Sequence, residues 1–130
     1  MKDFSDMLAL ARHNVANNPS ISSEVTETVV ERYLKGLVDE VNEVKAEIKV
    51  NNEIYLKDEL SDIVWDFSVL VAILESRGYL KKAEDIFAQA HTKYLERSPA
   101  FQYTDEVLWE EIKQTQKQNL AKQHKEKYGL

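Results

Sequence analysis

Cysteine is absent from the chain, which removes disulfides, thiolate metal sites and cysteine nucleophiles together. Glycine occurs only at 36, 78 and 129, so no Gly-rich phosphate loop or dinucleotide fingerprint can be built. The histidines, His13, His91 and His124, are too scattered for an HExxH zinc motif, and no GxSxG elbow occurs. Basic residues are outnumbered, leaving a net charge of −6 that argues against a general nucleic-acid partner. The longest apolar stretch, residues 63–74, contains Asp66 and falls short of the about 20 residues that span a bilayer. MKDFSDMLAL has acids where a signal peptide carries a basic flank and an apolar core. A cytoplasmic protein without a membrane partner is the expectation.

What remains is rich in Glu, Lys, Leu and Ala and poor in helix breakers, which predicts an all-α protein. A first helix over residues 2–16 places Phe4, Met7, Leu8, Ala11 and Val15 on one side, and NNPS stops it. A second starts near Ser22 or Ser23, with Glu24 and Glu27 in its first turn. Its apolar seam is Val30, Leu34, Leu37, Val41, Val44 and Ile48. After the short VNN connection a third helix folds back, carrying the seam Leu56, Leu60, Ile63, Phe67, Leu70 and Leu74 and ending at Gly78, a good left-handed cap. A fourth helix runs over residues 80–97, closed by SPAF. Thr104 is a candidate cap for a last helix, and the polar KQHKEKYGL end is expected to fray. The seams fit bundle packing.

Two acidic stripes lie beside these seams. On the third helix, Glu59, Asp62 and Asp66 share a face that continues through Val69 and Ile73. On the second, Val29, Tyr33 and Gly36 lead into Glu40, Glu43 and Glu47. An antiparallel hairpin brings the acidic halves to one end. Glu43 and Glu59 are each eight residues from Asn51, and Glu40 and Asp62 are each eleven, so a symmetric turn sets them opposite. A solvated charged face would carry Lys or Arg four residues along. Instead Val44, Glu47, Ile63 and Asp66 stand there. Clustered acids must protonate, separate or bind cations.

All-oxygen ligands select a hard cation, Mg²⁺ or Mn²⁺, and no His near either stripe supports a di-iron site. Four acids exceed what one Mg²⁺ usually takes. The surplus implies a second metal or a carboxylate free to activate water, and either suits hydrolysis of a phosphoanhydride. Glu47 and Asp66 could serve a second metal or face solvent. Trp65 reads as a core or subunit-interface residue. The third of these helices, with Trp65, Val69 and Ala72 beside its seam, is apolar nearly all round, which predicts self-association.

LVDEVNEVKAEI followed by KDELSDIVWDF resembles the E-x-x-E, spacer, E-x-x-D signature of the MazG-like all-α nucleoside triphosphate pyrophosphohydrolases, matching at Glu40, Glu43, Glu59 and Asp62. KYLERSPAF is similar to the family's basic segment at Lys93, Arg97, Pro99 and Phe101, with Ala90 a departure where many relatives are polar or basic. The resemblance covers about residues 25–101 and implies a four-helix MazG-like bundle over 1–103, with a C-terminal helical extension over 104–130. It implies Mg²⁺-dependent cleavage of a nucleoside triphosphate to the monophosphate and pyrophosphate, with the four acids as metal-binding and catalytic residues. It also implies a homo-oligomer, a dimer or a tetramer built as a dimer of dimers. Lys93 and Arg97 would hold the outer phosphates, although cations near a helix C-terminus are favourable in any case. A relative specialised for dUTP or phosphoribosyl-ATP is the alternative enzyme. A helical adaptor is the non-enzymatic alternative, and it has no need of four uncompensated acids.

Overall fold

The computed structural model describes residues 2–102 and 104–130, and of residues 101 and 102 the backbone alone. Among them are six helices: α1 Phe4–Asn17, α2 Pro19–Ser22, α3 Thr26–Glu47, α4 Glu53–Ser76, α5 Glu84–Gln102 and α6 Glu106–Tyr128. They fall into two compact units, Met1–Ala83 and Glu84–Leu130.

In the first unit α1 begins with a reciprocal capping box. The Asp3 carboxylate accepts from the Asp6 amide at 3.2 Å, and the Asp6 carboxylate accepts from the Asp3 amide at 3.1 Å. Leu8, Ala11 and Val15 form its buried face. The NNPS segment does more than stop α1. Asn18 caps Ser20 at 3.0 Å and Pro19 opens the single turn α2, which drives Ile21 into the core.

The start of α3 lies later than expected, at Thr26, and its N-cap Val25 has no side-chain cap. The reason is tertiary. Arg77, at the end of α4, donates to the carbonyls of Ile21 and Glu24 at 3.0 and 2.9 Å and to the Thr26 hydroxyl at 3.1 Å. That guanidinium organises the α2–α3 connection, so Ser22 and Ser23 are not the cap.

The α3–α4 hairpin turns at Asn51, which takes a left-handed φ of 58° that Asn tolerates. Asn52 closes α3 by donating to the Glu47 carbonyl at 2.8 Å. At its other end α4 finishes as expected: Gly78 has φ 83°, with Tyr79 N–H on the Leu74 carbonyl and Gly78 N–H on that of Glu75. This is a Schellman cap.

The core joins Ala11, Val15, Ile21, Val29, Val69, Ala72 and Ile73, with Tyr33 and Trp65 packed against it. Trp65 is thus partly a core residue. The seam expected on α3 is buried only in part: Val30 packs against the core, and Leu37 and Val44 are half-buried. Leu34, Val41 and Ile48 are 50%, 56% and 67% exposed, while the neighbouring line of Val29, Tyr33 and Gly36 meets α4. The acidic stripe, which extends that line, therefore faces the hairpin partner.

The second unit pairs α5 with α6. α5 begins at Glu84 rather than 80, because the Ala83 amide is captured by the Glu75 carboxylate at 2.7 Å. It also runs past Pro99 to Gln102, so SPAF does not close it; the lost backbone donor falls in the last turn, where disruption is least. Asp105, not Thr104, caps α6 and accepts from the Leu108 amide at 2.9 Å. Thr104 sits at φ 52°, incompatible with the extended geometry of an N-cap. The tail expected to fray is helical to Tyr128, where Gly129 at φ 73° ends it. Its Lys, Gln, Ala and Glu residues favour helix without burial. No described helix is long and apolar enough to cross a membrane.

Candidate metal centre

Glu40 and Glu43 descend from α3, and Glu59 and Asp62 rise from α4. One carboxylate oxygen of each lies within 4.8 Å of the others. The register deduced from the symmetric turn is the one adopted. Glu40, Glu59 and Asp62 are half-buried, and Glu43 is exposed.

The cluster is electrostatically uncomfortable without a cation. Desolvation, followed by hydrogen bonding and like charge from Glu43 and then the charges of Asp62 and Asp66, pushes the Glu40 carboxyl up to about 7. Glu59 is raised too, first through its hydrogen bond with Glu43, then by desolvation and neighbouring acids. One oxygen of Glu40 and one of Glu59 are buried with no hydrogen-bond partner. A buried acceptor left unmade costs about 1–3 kcal/mol, and two of them in one cluster of acids form a strong set of donors for a hard cation. The residues present fit Mg²⁺ or Mn²⁺: all oxygen, no nitrogen or sulfur.

The two outer acids are not part of this group of four. Glu47 turns back to the hairpin loop, its carboxylate accepting from the Asn52 amide at 2.6 Å. Asp66 sits against α3 at Gly36, where an added Cβ would stand 3.0 Å from its Oδ2. Desolvation, then the charge of Asp62, raises the Asp66 carboxyl. The Tyr33 phenol beside it is raised by burial and next by Asp66. Gly36 stands in the stripe read from the sequence, but its close approach to Asp66 is not part of that reading. Its signal was present: a mid-helix glycine, unfavourable by about 1 kcal/mol relative to alanine, placed within an acidic stripe.

Also unanticipated is the bidentate pair of Arg12 with Glu75, at 2.8 and 2.7 Å, which ties α1 to α4. Arg12, Val15, Ala72, Glu75 and Arg77 line a cavity of about 410 Å³ there.

In the second unit, Lys93 and Arg97 have different surroundings. Arg97 is buried, its guanidinium 4.6 Å from the Trp109 ring centroid, and its Nε donates to Gln116 at 2.8 Å. Lys93 is half-buried, with Nζ 5.6 Å from the Tyr94 ring centroid. Phe101, the end of that basic segment, lies outside the described side chains.

Comparison with the curated proteins and with the solved structures finds no significant match. A family model does match, and it spans both acidic pairs and the basic segment. Residues 20–102, well over half of the chain, fit the MazG nucleotide pyrophosphohydrolase domain, and the chain belongs to that family.

Proposed function

We propose that the protein is a Mg²⁺-dependent pyrophosphohydrolase that cleaves nucleoside or deoxynucleoside triphosphates to the monophosphate and pyrophosphate, clearing unwanted nucleotides from the cytoplasmic pool. The observation that carries this reading is the convergence of Glu40, Glu43, Glu59 and Asp62 from two helices, with two buried oxygens lacking any protein partner. These four carboxylates hold the ion, for which Mn²⁺ is a substitute. When bound, Mg²⁺ supplies positive charge against the phosphoanhydride oxygens. Glu43 is the most exposed of the four, which supports giving it the proton of the water that attacks the α-phosphorus. Asp66 and Glu47 support the cluster from either side. Lys93 and Arg97 serve the outer phosphates, Lys93 as the more accessible charge and Arg97 as its buried neighbour. Residues 1–103 form the catalytic domain and 104–130 an extension.

The same reading includes a homo-oligomer, a dimer or a dimer of dimers. It draws support from the apolar residues left uncovered on α3 and from a shallow depression of about 670 Å³ on α4 lined by Ile54, Tyr55, Leu60 and Val64. The defining experiment presents a panel of ribo- and deoxynucleoside triphosphates with Mg²⁺ and measures pyrophosphate release. Turnover of at least one nucleotide that stops with EDTA is expected. Release of inorganic phosphate in place of pyrophosphate would refute cleavage between the α and β phosphates, and inertness toward the whole panel would refute the enzyme.

A further inference from the structure

We propose that the groove between α5 and α6 binds an oligophosphate anion, with Lys113 and Lys117 of α6 completing a site begun by Lys93 and Arg97 on α5. The proposal rests on the phosphate role given above to Lys93 and Arg97 and requires nothing of the acidic cluster.

The groove holds about 550 Å³ and is lined by four cationic side chains against one acid, Glu96. That local excess stands in a chain whose net charge is −6. Helical spacing explains how it arises. Lys93 and Arg97 are four residues apart on α5, and Lys113 and Lys117 are four apart on α6, so each helix offers one pair from one face. Among the described residues neither Lys113 nor Lys117 forms an ion pair, although like charges at this spacing repel.

The floor of the groove is tied together by one side chain. The Gln116 side-chain oxygen accepts from Arg97 at 2.8 Å, while its nitrogen donates to the Lys93 carbonyl at 3.1 Å and to the Glu96 carboxylate at 2.8 Å. One amide thus spends both ends holding α6 to α5, and engages the single acid of the groove. Arg97 lies below, its guanidinium 4.6 Å from the Trp109 ring centroid. A guanidinium below and ammonium groups at the rim favour a ligand with several adjacent negative oxygens over a single carboxylate. Pyrophosphate and the triphosphate end of a nucleotide share that chemistry. Residues 113 and 117 lie beyond the family match, which ends at 102, so this half of the site is particular to the C-terminal helix.

The test is calorimetric titration of pyrophosphate into the full chain in EDTA. Saturable binding is expected, weakened at least tenfold in a Lys113→Gln/Lys117→Gln double variant whose helicity by circular dichroism is unchanged. A Lys81→Gln/Lys82→Gln control, equal in charge change and located in the other unit, should bind like the wild type. Absence of binding by the wild type, equal affinity in the groove variant, or an equal loss in the control would overturn the proposal. A non-hydrolysable α,β-methylene nucleoside triphosphate bound more tightly than pyrophosphate assigns the groove to substrate, and the reverse order assigns it to product. Glu59→Gln should retain binding in EDTA, which separates failure of this groove from failure of the metal centre.

Discussion

Glu59 and Asp62 present their carboxylates toward Glu40 and Glu43 from the same turn of α4, so amide replacement removes charge with little change of shape. Glu59→Gln and Asp62→Asn should each lower turnover by at least ~10²-fold, the scale on which electrostatic stabilisation is lost. Their melting temperatures should hold or rise, since a like-charge cluster loses a member. Pyrophosphate release and thermal melts on the same samples decide the matter: full activity in Glu59→Gln would sink the metal centre, and unfolding of both variants would return these acids to a structural role. Gly36 poses a different residue-scale question. Alanine there gains about 1 kcal/mol of helix propensity but brings a Cβ to 3.0 Å from Asp66 Oδ2. In an Asp66→Ala background Gly36→Ala should be stabilising, and in the wild type it should be less so. A double-mutant cycle measures the difference. Equal effects in both backgrounds would show that the close approach carries no energy.

At the scale of elements, the acidic hairpin was legible in the sequence because its determinants are periodic and local. Spacings of three and four place Glu40 with Glu43 and Glu59 with Asp62, and a turn centred on Asn51 sets the register. Gly78 was legible for the same reason: a Schellman cap is closed by residues within one turn. Much of what escaped the sequence was set by contacts beyond a single helical turn. The start of α3 depends on Arg77, some fifty residues away, and that of α5 on Glu75 reaching Ala83. The choice of Asp105 over Thr104 depends on a backbone angle that composition does not reveal. Within the hairpin, Glu40 titrates near 7 in the fold against an ordinary value of 4.5, and Glu59 and Asp66 are also raised. Carboxyls with raised folded-state pKa values bind more protons in the native than the unfolded state. For Glu40 the contribution to stability is therefore present below about 4.5 and lost as pH climbs through about 7, and Glu59 and Asp66 add contributions of the same sign. In EDTA the melting temperature should fall between pH 5 and pH 8 from this source. Saturating Mg²⁺ should flatten or reverse the trend, because the ion binds the deprotonated cluster of the folded state. A metal-free profile that rises over this interval, with no Mg²⁺ effect at pH 8 even with nucleotide present, would contradict the arrangement of acids.

For the whole molecule, the question is what covers α3 and the start of α4. Leu34, Val38 and Val41 are half or more exposed, and so are Ile48 and Ile54 on either side of the hairpin turn. Positions 34, 38 and 41 recur at spacings of four and three, a continuous ridge of the kind that packs against another helix. The chain instead turns the adjacent line of α3, with its acids, toward α4. Burying the ridge and the acidic stripe on different faces of one helix requires a second surface, and a further copy of the chain provides it under the proposed function. Light scattering at micromolar concentration should therefore give a mass well above the 15.1 kDa of one chain. Val41→Glu distinguishes a true interface from an incidental apolar surface. At an exposed site such a change moves stability by no more than about 0.5 kcal/mol. At a packed interface it buries an unpaired charge and should drive dissociation, with helicity largely kept. The variant should run as a smaller species than the wild type by light scattering, and its melting temperature should become less dependent on protein concentration. A wild-type chain that is a stable monomer, or a Val41→Glu variant with unchanged mass, would remove this ridge from the interface.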